Sequence, residues 1–140
     1  MDLMQLYGYA EQKGITVVNW KIENKKACAI KIRKHYHILM NDLLINGNRE
    51  EKIVLAHELG HCLSDRMYYL QDYYNPLYKS NIAKAERKAK DEACRLLVNS
   101  EELKKALCYS DNEYTAAESL DLDLFTFRDI VSYYQHKGVI

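Results

Sequence analysis

No apolar run in the 140-residue sequence approaches the ~20 residues that a membrane-spanning helix requires. The opening stretch, MDLMQLYGYAEQKG, lacks the basic start and long apolar segment of a secretory signal, so a cytoplasmic location without membrane attachment is expected. Nor is there a surplus of charge. The 20 Lys and Arg are matched by 20 Asp and Glu, whereas contacts to phosphate need an excess of cations, so direct nucleic-acid binding is not expected. Proline occurs once and glycine five times, with no low-complexity tract, which argues against a linker or a disordered tail. The four cysteines, Cys28, Cys62, Cys94 and Cys108, form no C-x-x-C pair, and reduced thiols rather than disulfides are expected.

The length suits one domain spanning 1–140. Residues 3–13 read as a helix closed at Gly14. Three β-rich runs follow, ITVVNW (15–20), ACAIKI (27–32) and YHILMN (36–41), close enough in sequence to form an antiparallel sheet of hairpins. A long helix is expected from about 50 to 67 and another from about 80 to 98. Between them YYLQDYYNPLY, with Pro76, reads as irregular. SEELKKAL, NEYTAAESL and FTFRDIVSYYQ read as three further helices. Strands first and helices after them point to an α+β class rather than alternating βαβ units.

The first long helix carries VLAHELGHCL, residues 54–63, in which two histidines are spaced as H-E-x-x-H. At ~100° per residue His57 and His61 lie about 40° apart on one face, so both imidazoles can reach one ion, with Glu58 beside them. Leu55, Leu59, Cys62 and Leu63 occupy the opposite face, which is expected to enter the core while the histidines face a cleft. Gly60 is small enough to admit a close neighbour.

A catalytic zinc needs a third protein ligand. The second long helix, SNIAKAERKAKDEACRLLV, offers Glu86, Asp91 and Glu92. Relative to its apolar stripe of Ile82, Ala89, Ala93, Leu96 and Leu97, Glu86 lies about 40° from the centre, Glu92 about 80° away and Asp91 on the far side. Glu86 is therefore the inward acid, and a cation facing it would offset the cost of burying a carboxylate. Glu92 is the next candidate. Ala89 and Ala93 would let the two helices approach closely.

EEKIVLAHELGHCLSD followed by AERKAKDEACRLLV resembles the ImmA/IrrE family of small cytoplasmic zinc metallopeptidases over roughly residues 35–100. The strand ending in Asn41, the HELGH helix, the ERKA segment and the Leu96-Leu97 pair carry the resemblance. It implies a zincin-like core over about 1–100, with His57, His61 and Glu86 as Zn²⁺ ligands, and a C-terminal helical region over about 101–140 that docks a protein partner. It also implies limited cleavage of a protein substrate, a helix-turn-helix transcriptional repressor. Lys90 and Val98-Asn99 depart from the family pattern. In such a site the metal supplies a water of lowered pKa, and Glu58 is placed as general base. Tyr68, Tyr69, Tyr73, Tyr74 or Tyr78 could stabilise the oxyanion. Strand 36–41 is expected to be a sheet edge that pairs with the substrate chain.

Other features carry less. Asp65, four residues past His61, reads either as a partner orienting a ligand or as a solvated helix end, and His35 and His37 as an exposed strand face. AAESLDLDLFTFRDIV loosely resembles a helix-turn-helix but is acidic and lacks a turn glycine. The competing function is a zinc-bound regulatory protein that binds a partner without cutting it.

Overall fold

The computed structural model describes residues 1–65 and 78–140. Helix α1 (Leu3–Gln12) starts at a reciprocal cap in which Asp2 accepts from the Gln5 amide and the Gln5 side chain accepts from the Asp2 amide. Gly14, with φ of +73°, turns the chain into strand β1 (Thr16–Asn19). Strand β2 (Ala27–Ile32) and strand β3 (His35–Met40) form a hairpin whose turn residues, Arg33 and Lys34, both have positive φ. Helix α2 (Asn48–Ser64) carries the motif, and α3 (Tyr78–Leu97), α4 (Ser100–Tyr109), α5 (Glu113–Ser119) and α6 (Leu124–His136) complete the chain. No described helix is long and apolar enough to cross a membrane.

The expected α+β class is what the fold shows, but the sheet is mixed rather than wholly antiparallel. Its order is β1-β3-β2. Strand β2 runs antiparallel to β3, from Ala27 opposite Met40 to Ile32 opposite His35. Strand β1 runs parallel to β3, from Thr16 opposite His37 to Asn19 opposite Met40. The two-residue turn forces β2 and β3 together, which leaves β1 to take the other side of β3. There Val17 joins Ile38 and Met40 on the face that α1 and α2 cover. Strand β3 is thus the centre of the sheet, which corrects the expectation that 36–41 is an edge. Among the described residues, the free edge beside the motif helix is β2.

Helix α2 is the hub. One buried cluster runs from Leu6 on α1 through Ile38, Leu55 and Leu59 to Leu97, Leu103 and Ile130. Burial reaches even the polar side of α2, where Lys52, Glu58 and His61 are all buried. Lys52 donates to the carbonyl of Asp121 at 2.8 Å, and Arg49 bonds Glu118 and Asp121 at 3.1 and 3.0 Å, which ties the start of α2 to the acidic turn after α5. On α3, Lys90 pairs with Asp129 of α6 at 3.0 Å. Cys28, Cys62, Cys94 and Cys108 are all free thiols, and burial pushes Cys62 and Cys94 up to about 12, which keeps both protonated.

Candidate metal centre

Helices α2 and α3 meet at Gly60. A Cβ on that residue would lie 2.1 Å from the carbonyl oxygen of Ala89, so only glycine permits this crossing. Ala85, Ala89 and Ala93 form the buried small-residue face of α3, as the sequence predicts for Ala89 and Ala93. Glu86 sits one turn before Ala89, and the close crossing delivers its carboxylate to the two histidines.

Each imidazole meets one carboxylate oxygen. His57 Nε2 lies 2.9 Å from Glu86 Oε2, and His61 Nε2 lies 3.4 Å from Glu86 Oε1. The two rings stand edge to face, 4.9 Å apart at 87°. All three ligand atoms fall within 4.8 Å of one another. Bond lengths of 2.0–2.1 Å to a tetrahedral zinc place ligand atoms about 3.3 Å apart, so the donor set and its spacing fit that ion. Glu92, the next candidate, is instead paired with Arg95 at 2.6 Å. Asp91 does not join the cluster.

Burial is graded across the site. His61 keeps 7% of its side chain exposed, against 34% for His57 and 45% for Glu86, so the centre is anchored on one side and reachable from solvent on the other. Of the two histidines expected to face a cleft, His61 lines one despite its burial, whereas His57 is half-buried outside that lining. Burial lowers the His57 pKa, with Glu86 opposing the effect, so its ring is neutral at physiological pH, the form that binds metals. Burial also raises the Glu58 carboxyl to about 7, against the opposing influence of His61, while Glu86 adds to the rise. The backbone amide of Ala29 on β2 donates to that carboxylate.

A cleft of about 380 Å³ joins these groups to the sheet. Its walls are residues 25 and 27–30 on one side and Glu58, His61 and Glu86 on the other. Asn41 N donates to the Lys26 carbonyl at 2.8 Å, and bonded pairs alternate along an antiparallel ladder, so Ala27, Ala29 and Lys31 direct their amides and carbonyls to the free edge. Both ends of this strand are fastened to α2. Lys26 pairs with Glu50 near the helix start, while Lys31 (3.1 Å) and the Tyr36 hydroxyl both bond Asp65 at the helix end. Asp65 has left-handed geometry, with φ of +53°, and closes the helix. It is a helix end tied to the sheet. His35 is exposed and His37 half-buried.

Sequence reasoning picks out His57, Glu58, His61 and Glu86, and the fold brings all four together. It does not show that ACAIKI is the sheet edge facing the site, nor does it mark Lys25, which sits in a polar turn with no motif. Tyr68, Tyr69, Tyr73, Tyr74 and Pro76 lie outside the described residues, as does the side chain of Tyr78. Comparison with protein-family models, with curated proteins and with solved structures finds no match.

Glu86→Ala is expected to lose zinc, because two imidazoles alone leave the set a ligand short. Metal content after dialysis checks this. Full zinc occupancy in the variant would move the third ligand elsewhere.

Proposed function

We propose that this protein is a cytoplasmic zinc metallopeptidase of the ImmA/IrrE type that makes limited cuts in a protein substrate, a helix-turn-helix transcriptional repressor. The observation that carries this reading is the convergence of His57, His61 and Glu86 beside a buried Glu58 and a strand edge that no other described strand covers. Three ligands with an exposed side are the catalytic form of such a site, and a purely structural zinc would be enclosed by four. The HELGH and ERKA segments that resemble the family support the same assignment, with 1–100 as the peptidase core.

When bound, zinc would polarise the scissile carbonyl and acidify the attacking water. Glu58 is the group that takes the water's proton and passes it to the leaving nitrogen. Its raised pKa suits that exchange near neutral pH, and the Ala29 amide holds its orientation. The outward amides and carbonyls of Ala27 and Lys31, with the Ala29 carbonyl, pair with an extended substrate, so backbone bonds supply affinity and side-chain pockets supply choice. Residues 101–140 support partner docking by composition and exposure. They lean acidic and present Tyr109, Tyr114 and Phe125, which are 88%, 66% and 78% exposed. Aromatic anchors in an acidic surround suit a basic partner such as a DNA-binding repressor.

The test is to incubate the zinc-loaded protein with any helix-turn-helix repressor found encoded beside its gene and to weigh the fragments. Discrete fragments that fail to form with Glu58→Gln are expected. A repressor left intact, or cut equally by the variant, would favour a regulatory protein that binds without proteolysis.

A further inference from the structure

Three lysines lie on or beside the free edge of β2, and two of them are committed. Lys26 is held by Glu50 and Lys31 by Asp65, one at each end of α2. The third, Lys25, makes no ion pair among the described residues, yet it lines the same cleft as Glu58, His61 and Glu86. It is also the only cationic side chain in that lining among the described residues.

Its backbone is firmly placed. The side-chain amide of Asn41, which is 1% exposed, donates to the carbonyls of Ile22 at 2.6 Å and Lys25 at 2.9 Å. That buried amide fixes the turn before β2 and sets the Lys25 side chain at the mouth of the cleft, within electrostatic reach of Glu58. The rest of the β2 wall is small or apolar, namely Ala27, Cys28, Ala29 and Ile30. The cleft therefore has a single charged determinant on its sheet side.

We propose that Lys25 is a specificity residue that recognises a carboxylate on the bound peptide. This rests on the peptidase reading, since it takes the occupant of the cleft to be an extended chain along β2. Glu58 meets the strand at Ala29, four residues from Lys25, which is ~13 Å at ~3.3 Å per residue. Allowing for the reach of the lysine side chain, the carboxylate belongs about two to four residues from the bond that reacts. It is either an Asp or Glu side chain or the free C-terminus of a short product-like peptide.

The test uses the full chain carrying Glu58→Gln and loaded with zinc, so that peptides bind without being consumed. Fluorescent decapeptides of neutral residues, amidated at the C-terminus, carry one Glu, Gln or Lys that is walked along the sequence, and binding is read by anisotropy. A parallel set ends in a free carboxylate. Glu at one or two adjacent positions is expected to bind about fivefold tighter than Gln, the size of an exposed charge pair. If the free-acid set alone gains affinity, the carboxylate is the chain terminus and the assignment of Lys25 stands. Adding Lys25→Glu should reverse the preference to Lys. Lys34→Glu, the same charge change at the far hairpin turn, should leave it unaltered. Binding without a Glu preference, a preference that survives Lys25→Glu, or no binding by any peptide would overturn the proposal. Failure of the peptidase reading looks different: peptides would bind with the Lys25-dependent preference while the zinc-loaded parent leaves them uncut.

Discussion

Glu58→Gln is expected to keep zinc and fold while losing peptide hydrolysis by ~10²–10⁴-fold, the usual worth of a general base. The amide preserves the shape of a side chain that is 9% exposed, and it removes the ability to carry a proton. It also removes a cost. The folded-state pKa of Glu58 is raised to about 7 from an ordinary value of 4.5, so the metal-free fold favours the protonated form. That stabilisation is fully present below pH 4.5 and is lost as pH rises through about 7. Metal-free Glu58→Gln should therefore melt higher than the parent at pH 8, by about 3 kcal/mol in stability, and the gap should close near pH 4. Thermal unfolding at the two pH values checks this, beside turnover on any cleaved substrate. Equal hydrolysis by both proteins would remove Glu58 from the role of base.

Gly60→Ala is the second large effect. The added methyl meets the Ala89 backbone at 2.1 Å, and backbone cannot swing aside as a flexible side chain can. Relief requires α3 to move off α2. We expect a loss of roughly 3 kcal/mol or more in stability. Zinc affinity should fall by roughly tenfold or more, because the same movement withdraws Glu86 from His57 and His61. Gly8→Ala, where an added Cβ would meet nothing within 4 Å, is the control and should leave zinc binding intact. Calorimetry and metal titration on the two variants separate the helix crossing from a general intolerance of alanine.

Much of this arrangement is legible in the sequence because it depends on helical period. The 3.6-residue repeat puts His57 and His61 on one face and Glu86 beside the Ala89–Ala93 stripe, and those relations hold wherever the helices pack. The mixed sheet is not legible in that way. Alternation within ITVVNW and YHILMN is the same for parallel and antiparallel pairing, so nothing local tells β1 which neighbour to take. The β2–β3 turn hides as well, since Arg33 and Lys34 adopt the positive φ usually signalled by Asn-Gly. Without the strand order, neither the edge beside the candidate metal centre nor Lys25 at the mouth of its cleft can be read. The burial of His61 escapes for a related reason, because a helix packed on several sides at once has no single apolar face to reveal it.

The fastening of β2 to both ends of α2 has its own consequence. Lys26 with Glu50, and Lys31 and Tyr36 with Asp65, fasten the sheet side of the cleft to both ends of the helix that forms its other side. On the proposed reading, in which the substrate lies extended along β2, a folded target must first open locally. Where that opening and closing is fast relative to cleavage, the rate of cutting tracks the fraction of target molecules that are open. On that reading control over when the cut occurs lies in the stability of the target, and anything that loosens it, such as losing a bound partner, sets the timing without any change in the proposed enzyme.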